Sequence, residues 1–297
     1  MIKFKHFFYT AIVSVILYSC GTGSGNTIAA FDHKGQAVKD KDSIIKFLNN
    51  YYYDDTKDSI KPLVSGKTPL SQDSRVIKKS HTVNDIEYDL YHIVVKEGES
   101  PKGSPTAVDS VLTKYQVWYS TKTSEFKLAE TGATAQWWSL AVTTGAGFAP
   151  SPIRGWAFGI PNFKAGINDP INGPINYKKF GKGILIMPSG LAYQNRSANS
   201  VPANAQLIFY IDLLDFAVNT DHDLDKVPTI LEDINKDGIF INDRTDDDAL
   251  PNYLDSDDDG DGKLTKDEDA NGDGDPTNDF SDPNKPTVPD YLNRDIK

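Results

Sequence analysis

Pro152-Ile153-Arg154-Gly155-Trp156 is the stretch from which the rest of the chain can be ordered. Pro152 stands just ahead of a first helical turn, where a missing N–H costs nothing. Trp156 and Ile160 follow Ile153 at helical spacing and share one apolar face, so a short helix over residues 153–163 is expected. Outward from it, Ile184-Leu185-Ile186-Met187 reads as a buried strand (183–187), followed by Pro188-Ser189-Gly190-Leu191-Ala192-Tyr193. Val201-Pro202-Ala203-Asn204-Ala205 then leads into a strand over 206–214, with Leu207, Phe209, Ile211 and Leu213 on one face. Upstream, 86–95 and 136–142 read as strands. Between them Val111, Thr113, Tyr115, Val117 and Tyr119 alternate with Leu112, Lys114, Gln116 and Trp118, as on a strand with one well-buried face. Runs of strands with one short helix imply an α+β domain, an antiparallel β-sheet wrapped on a short α-helix.

In this order, the pieces resemble the FKBP-type peptidyl-prolyl cis-trans isomerases over residues 87–216. The family pattern is Ile-x-Gly-Trp, then Pro-Ser-x-Leu-Ala-Tyr-Gly, then a Pro-containing loop into an Ala-x-Leu-x-Phe strand. The resemblance implies an FKBP-like fold and a pocket for X–Pro segments. Trp156 would be its floor, Tyr119, Phe126 and Phe209 its walls, and Val201 its rim. The Ile153 backbone N–H and the Tyr193 hydroxyl would donate to substrate carbonyls. Rotation about X–Pro faces a barrier of about 18–20 kcal/mol, and a dry apolar site lowers it by holding the twisted amide better than the planar one. That chemistry needs no cofactor. Three positions depart from the family. Phe126-Lys127 follows Tyr119 too closely and lacks the usual Phe-Asp carboxylate, Gln194 replaces the glycine after Tyr193, and Gln136, Trp137 and Trp138 align ambiguously with the aromatic strand. A non-catalytic FKBP-fold binding, chaperone or adhesion module is the alternative these departures favour.

The chain has 297 residues, a net charge of −11 and one cysteine. Residues 221–297 alone carry −16, so the remainder is net positive and the tail is compositionally separate. An acidic total argues against nucleic-acid binding, which needs a basic footprint. Lys3 and Lys5 precede a short apolar run, and Leu17-Tyr18-Ser19-Cys20-Gly21 resembles a bacterial lipobox. The resemblance implies a lipoprotein acylated at Cys20, with a plain secretory signal or a short anchor as the alternatives. The expected organisation is a signal peptide (1–19), a Gly/Ser/Thr-rich tether (20–30) and an extension (31–85). In that extension Asp42-Ser43 caps an amphipathic helix through Tyr51, and residues 56–80 are irregular. An FKBP-like domain (86–217) with an inserted segment (164–179) and an Asp-rich region (218–297) complete it. The expected setting is a monomer anchored to a bacterial envelope membrane, acting on proline-containing exported polypeptides.

Residues 257–268 fit the calcium-loop pattern D-x-D-x-D-G-x₅-E. Asp257, Asp259, Asp261, the Lys263 carbonyl, Thr265 and Glu268 would give Ca²⁺ its oxygens, while Gly262 permits the turn. Asp221, Asp223, Asp225 and Glu232 repeat the spacing with Lys226 in the glycine position. Val227-Pro228-Thr229-Ile230-Leu231, Leu250-Pro251-Asn252-Tyr253-Leu254 and Val288-Pro289-Asp290-Tyr291-Leu292 form an accompanying repeat. Pro251 shortly upstream and Asn271-Gly272-Asp273-Gly274 downstream give the helices of a true EF-hand poor support, so the loops are EF-hand-like only. The region therefore looks more like thrombospondin type 3 or dockerin loops, an irregular calcium-stabilised tail, with a solvated acidic tail as the alternative.

Overall fold

The computed structural model describes residues 30–121, 126–141, 153–168 and 176–297. Cys20, the leader, Val142 and Pro152 lie outside them. The chain divides into Met1–Asp32 and His33–Lys297, and the elements below belong to the second unit. It opens with helix α1 (His33–Asn50) and the hairpin β1 (Tyr51–Asp54) and β2 (Ser59–Pro62). There follow β3 (Val76–Val83), β4 (Ile86–Lys96), β5 (Ser110–Ser120), β6 (Lys127–Ser139) and the one-and-a-half-turn helix α2 (Arg154–Gly159). A two-stranded ribbon of β7 (Ile167–Asn168) and β8 (Tyr177–Lys178) precedes β9 (Gly181–Met187) and β10 (Gln206–Phe216). Six strands pair antiparallel in the order β3-β4-β9-β10-β5-β6.

The central strands are apolar on both sides because both faces of the sheet are covered, a situation that turns alternation into continuous apolar runs. Leu207, Phe209, Ile211 and Leu213 of β10 join Leu185 and Met187 of β9 beneath Trp156, Ile160 and Phe163. Ile208, Ile184 and Ile186 face the other way, against Ile44, Phe47 and Leu48 of α1 and Tyr53 of the hairpin. Helix α2 lies directly on the sheet. A Cβ at Gly155 would stand 2.3 Å from Met187 Sδ and 3.2 Å from the Leu191 carbonyl oxygen, so a larger residue there would force the buried Met187 side chain to move. The helix ends where Asn162 Nδ2 donates to the Gly159 and Phe158 carbonyls (2.8 and 3.1 Å) and Pro161 opens a 3₁₀ turn.

Several local expectations change. Residues 56–80 are not irregular: they hold β2 and most of β3, which pairs with β4 and carries the sheet across the expected boundary at residue 85. Strand β3 is an edge strand whose Lys78, Lys79 and Ser80 are exposed, so it shows no apolar period. Asp42 and Ser43 lie inside α1 rather than at its cap. Strand β6 starts at Lys127 instead of residue 136, and two irregularities in its pairing with β5 erase the alternation. The 153–163 helix divides at Gly159 into α2 and the 3₁₀ turn.

After β10 the described chain has no further strand or α-helix, only short 3₁₀ turns. Three of these follow the prolines of the repeat, with Leu231, Leu254 and Leu292 N–H donating to the Pro228, Pro251 and Pro289 carbonyls. The segment is fastened to the sheet by Thr220, whose hydroxyl accepts from the Ser110 N–H (2.9 Å), and by a Ser139–His222 hydrogen bond (2.7 Å). Tyr253 completes the attachment against Val108 and Ala141.

Helix α1 has a polar first half whose one buried side chain is Asp40, at 0 % exposure. Its Oδ2 accepts from the Ser189 N–H (2.8 Å) and Ser189 Oγ (2.6 Å), and its Oδ1 from Gln206 Nε2 (2.9 Å) and Gln36 Nε2 (2.8 Å). Asp40→Ala would leave the buried Ser189 and Gln206 donors unpaired, at about 1–3 kcal/mol each. The expected loss is roughly 3 kcal/mol in urea unfolding, with Asp40→Asn less damaging. A loss under about 1 kcal/mol for Asp40→Ala would mean that the clamp is marginal.

Candidate functional site

Four aromatic rings meet where α2 crosses β5, β6 and β10. Trp156 lies 5.3 Å from Tyr115, 5.4 Å from Phe209 and 5.7 Å from Trp138, centroid to centroid, each nearly edge-to-face. That is the arrangement the ring quadrupoles favour. Tyr119, Ile153 and Tyr193 pack half-buried around this cluster, and Val201 is buried beside it. Phe126 does not join them. It lies on the opposite face, 4.5 Å from Phe47 and 6.1 Å from Tyr51, because the chain enters β6 on the α1 side of the sheet. Tyr115 and Trp138 stand beside Trp156 where Phe126 was expected. The alternation of β5 contained the signal for Tyr115, on the same side as Val117 and Tyr119. The paired tryptophans of β6 separate in the structure, with Trp138 facing in and Trp137 52 % exposed.

Two polar groups border the rings. Ile153 is the N-cap of α2, so its N–H precedes the helical ladder and has no acceptor among the described residues. The Tyr193 hydroxyl also has no hydrogen-bond partner among them, and burial, with the negative Glu130 nearby, raises its pKa. Glu130 accepts from the Tyr115 hydroxyl at 2.9 Å and puts a carboxylate at the border of the cluster. Phe126-Lys127 lacks the carboxylate of the family pattern, and nothing in the sequence pattern points to Glu130. Trp156 itself is 3 % exposed. A cavity of about 720 Å³ lies between Phe47, Ile60, Trp118, Phe126 and Tyr210, with Tyr115 but not Trp156 in its lining.

Tyr193 is held by the turn after β9. Ser189 O accepts from the Ala192 N–H (2.9 Å) and the Gln194 N–H (2.8 Å), and Gln194 O accepts from the Asn204 N–H (2.7 Å). Gln194 sits at φ +56°, in the left-handed region, although it stands where the family carries glycine.

In the tail, carboxylates converge. Asp257, Asp259 and Asp261 place oxygens within 4.8 Å of one another, as do Asp221, Asp223 and Asp225. Glu268 is 1 % exposed with neither oxygen hydrogen-bonded, and burial, then Asp259 and Asp261, pushes its pKa up to about 8. Burial likewise pushes Asp259 to about 6 and Glu232 to about 10, and raises Asp223 and Asp225. Thr265 departs from its expected part: its hydroxyl is committed to Asp258, donating to Oδ2 at 3.0 Å. Lys263 contributes a backbone N–H to Asp261 (2.7 Å). Four loops close in the same way. The residue five after the first Asp donates its N–H back to that carboxylate: Lys226 to Asp221, Gly238 to Asp233, Gly262 to Asp257 and Gly274 to Asp269, at 2.7–3.1 Å. All four donors have φ between +75° and +93°, Lys226 included. The loops starting at Asp233 and Asp269 were missed by sequence reading, although Asp-x-Asn-x-Asp-Gly marks both.

A left-handed non-glycine residue carries roughly 1–2 kcal/mol of steric strain, part of which glycine gives back as entropy of the unfolded chain. Gln194→Gly is therefore expected to stabilise the protein by up to about 1 kcal/mol, read as a rise in thermal midpoint. A fall would show that the Gln194 side chain makes a compensating contact.

No protein-family model and no curated protein matches the chain. Solved structures do. A peptidyl-prolyl cis-trans isomerase from Pseudomonas syringae pv. tomato is 16% identical, covering 63% of this chain and 98% of its own, with a TM-score of 0.37. FkpA from Escherichia coli is 19% identical over 73% of this chain and 84% of its own, with a TM-score of 0.36. The N-terminal domain of FKBP42 from Arabidopsis thaliana is 17% identical over 48% and 94%, with a TM-score of 0.32. These structural neighbours are FKBP-type peptidyl-prolyl isomerases, similar at low identity and over part of the chain.

Proposed function

We propose that the chain is a peptidyl-prolyl cis-trans isomerase acting on X–Pro bonds of exported polypeptides, anchored through Cys20 and carrying a calcium-loaded tail. The observation that supports the isomerase reading is the ring set of Trp156, Tyr115, Trp138 and Phe209, bordered by two donors without a partner among the described residues, the Ile153 N–H and the Tyr193 hydroxyl. A proline ring is apolar and fits among such rings. Removing water from the amide disfavours its planar, charge-separated form, and the two donors hold the carbonyls on either side of the twisted bond. Binding that is stronger for the twisted geometry than for the planar one is catalysis. The reading of a non-catalytic module for apolar-proline segments is favoured, beside the departures in sequence, by the 3 % exposure of Trp156. A proline ring reaches Trp156 only when atoms that cover it move aside.

The first test is a protease-coupled assay with apolar-X–Pro peptides. Tyr193→Phe removes one donor and keeps the packing, so kcat/KM is expected to fall about five- to tenfold, corresponding to about 1–1.4 kcal/mol, with stability unchanged. No acceleration above background by the unaltered chain, across several X residues, would leave the binding-module reading in its place.

For the tail, the buried carboxylate oxygens of Asp259, Asp261 and Glu268 that lack any donor fit a hard oxygen-seeking cation. Asp257, Asp259, Asp261 and Glu268 would hold one Ca²⁺ and the loop from Asp221 another, and the ions would supply the positive charge the segment lacks. Calcium uptake by calorimetry at about 10⁻⁴–10⁻³ M, with a gain in protease resistance, is expected, and Glu268→Ala should weaken it more than Asp221→Ala. Equal protease sensitivity in calcium and in chelator would leave a plain acidic tail.

A further inference from the structure

Asp258 occupies a position in its loop that the calcium-loop pattern leaves free, between Asp257 and Asp259. Its side chain turns away from both and meets a different loop. One oxygen each of Asp225, Glu232 and Asp258 lie within 4.8 Å of one another. The three residues are 0 %, 1 % and 1 % exposed. Each of the two aspartates has one oxygen satisfied within the protein: Asp225 Oδ1 accepts from the Val227 N–H (2.8 Å), and Asp258 Oδ2 from Thr265 Oγ1 (3.0 Å). The remaining oxygens, Asp225 Oδ2, Asp258 Oδ1 and both of Glu232, have no donor among the described residues. No ion pair among the described residues reaches the cluster, since Lys285–Asp295 is the one salt bridge found after residue 217. Buried anions without counter-charge are untenable at close range. Removing them from water is what makes a cation the natural partner.

We propose that Asp225, Glu232 and Asp258 hold a buried divalent cation, of the calcium type, that ties loop 221–232 to loop 257–268. The proposal rests on the calcium reading of the tail and adds a ligand from outside the loop that is served. Four free carboxylate oxygens suit a hard cation with six to eight oxygen ligands. The arrangement also explains why Thr265 leaves its expected ligand position. Its hydroxyl accepts from the Asp258 N–H (3.1 Å) and donates to Asp258 Oδ2, fixing the side chain with its other oxygen toward Glu232 and Asp225. The cation would make loading of the two loops interdependent, and residues 233–256 would be enclosed between them.

The test uses the full chain with calcium chloride or chelator, comparing unaltered protein, Asp258→Asn and Glu268→Gln. Asp258→Asn is expected to weaken one calcium at least tenfold by calorimetry and to restore protease cleavage within 233–256 in calcium. In chelator it should do the reverse and resist protease better than the unaltered chain, because an amide avoids the cost of burying a carboxyl group among other carboxyls without a cation. This crossing separates ligand loss from a folding defect, which would weaken the protein in both conditions. Glu268→Gln should remove the other ion. Calcium binding by the unaltered chain with stoichiometry, affinity and cleavage unchanged in Asp258→Asn would overturn the bridge and keep the calcium reading. Increased cleavage of Asp258→Asn in both conditions would overturn the bridge as well. Absence of calcium binding in the unaltered chain would overturn both.

Discussion

Asp40 is the interaction through which the two sides of the sheet are held in one arrangement. A carboxylate at 0 % exposure is expensive to bury, and here four donors compensate it. Three of those donors belong to Ser189 and Gln206, at the end of β9 and the start of β10, so α1 can close over one face only when the turn that carries Tyr193 is in place on the other. Lys41 adds a second attachment through Asp89 of β4 at 3.2 Å. An apolar residue at position 40 would bury as well and would fix nothing. The polar choice trades stability for a unique geometry, which suits a turn that positions a hydroxyl at the border of a ring cluster.

The same residue type gives the opposite result in the tail. Asp40 is buried and fully satisfied, whereas Glu232, Glu268 and Asp258 are as deeply buried with oxygens that have no donor among the described residues. Buried polar groups in folded proteins are nearly always paired. The contrast within one chain separates the tail carboxylates, which lack donors among the described residues, from Asp40, which belongs to the architecture.

Much of this was legible in the sequence. The core strands β4, β5, β9 and β10 were visible because their apolar residues recur at strand spacing, and Trp156, Phe209, Tyr193 and Val201 could be grouped by order along the chain. What escaped was set by tertiary context. Strand β3 is polar because it is an edge, α1 is longer than its apolar pattern because a hydrogen-bonded aspartate extends its contact with the sheet, and Phe126 changed faces with the path of the chain into β6. Nothing local distinguishes an aromatic residue on one side of a sheet from one on the other when the strand register is irregular. In the tail the Asp spacing was readable, but the direction of the Asp258 side chain depends on Thr265 and on a loop distant in sequence.

The strand order has a consequence for synthesis of the chain. β9 and β10 are the last strands made, yet they occupy the middle of the sheet, between the hairpins β3–β4 and β5–β6. As the chain emerges from the ribosome, each hairpin can form early, but the inner edges β4 and β5 stay open until residue 216 is available to join them. Open apolar edges invite pairing with other chains, and late non-local pairing is slow. A nascent chain of this topology is therefore most vulnerable to aggregation just before its final strands arrive, and holdase chaperones would have their longest engagement in that interval.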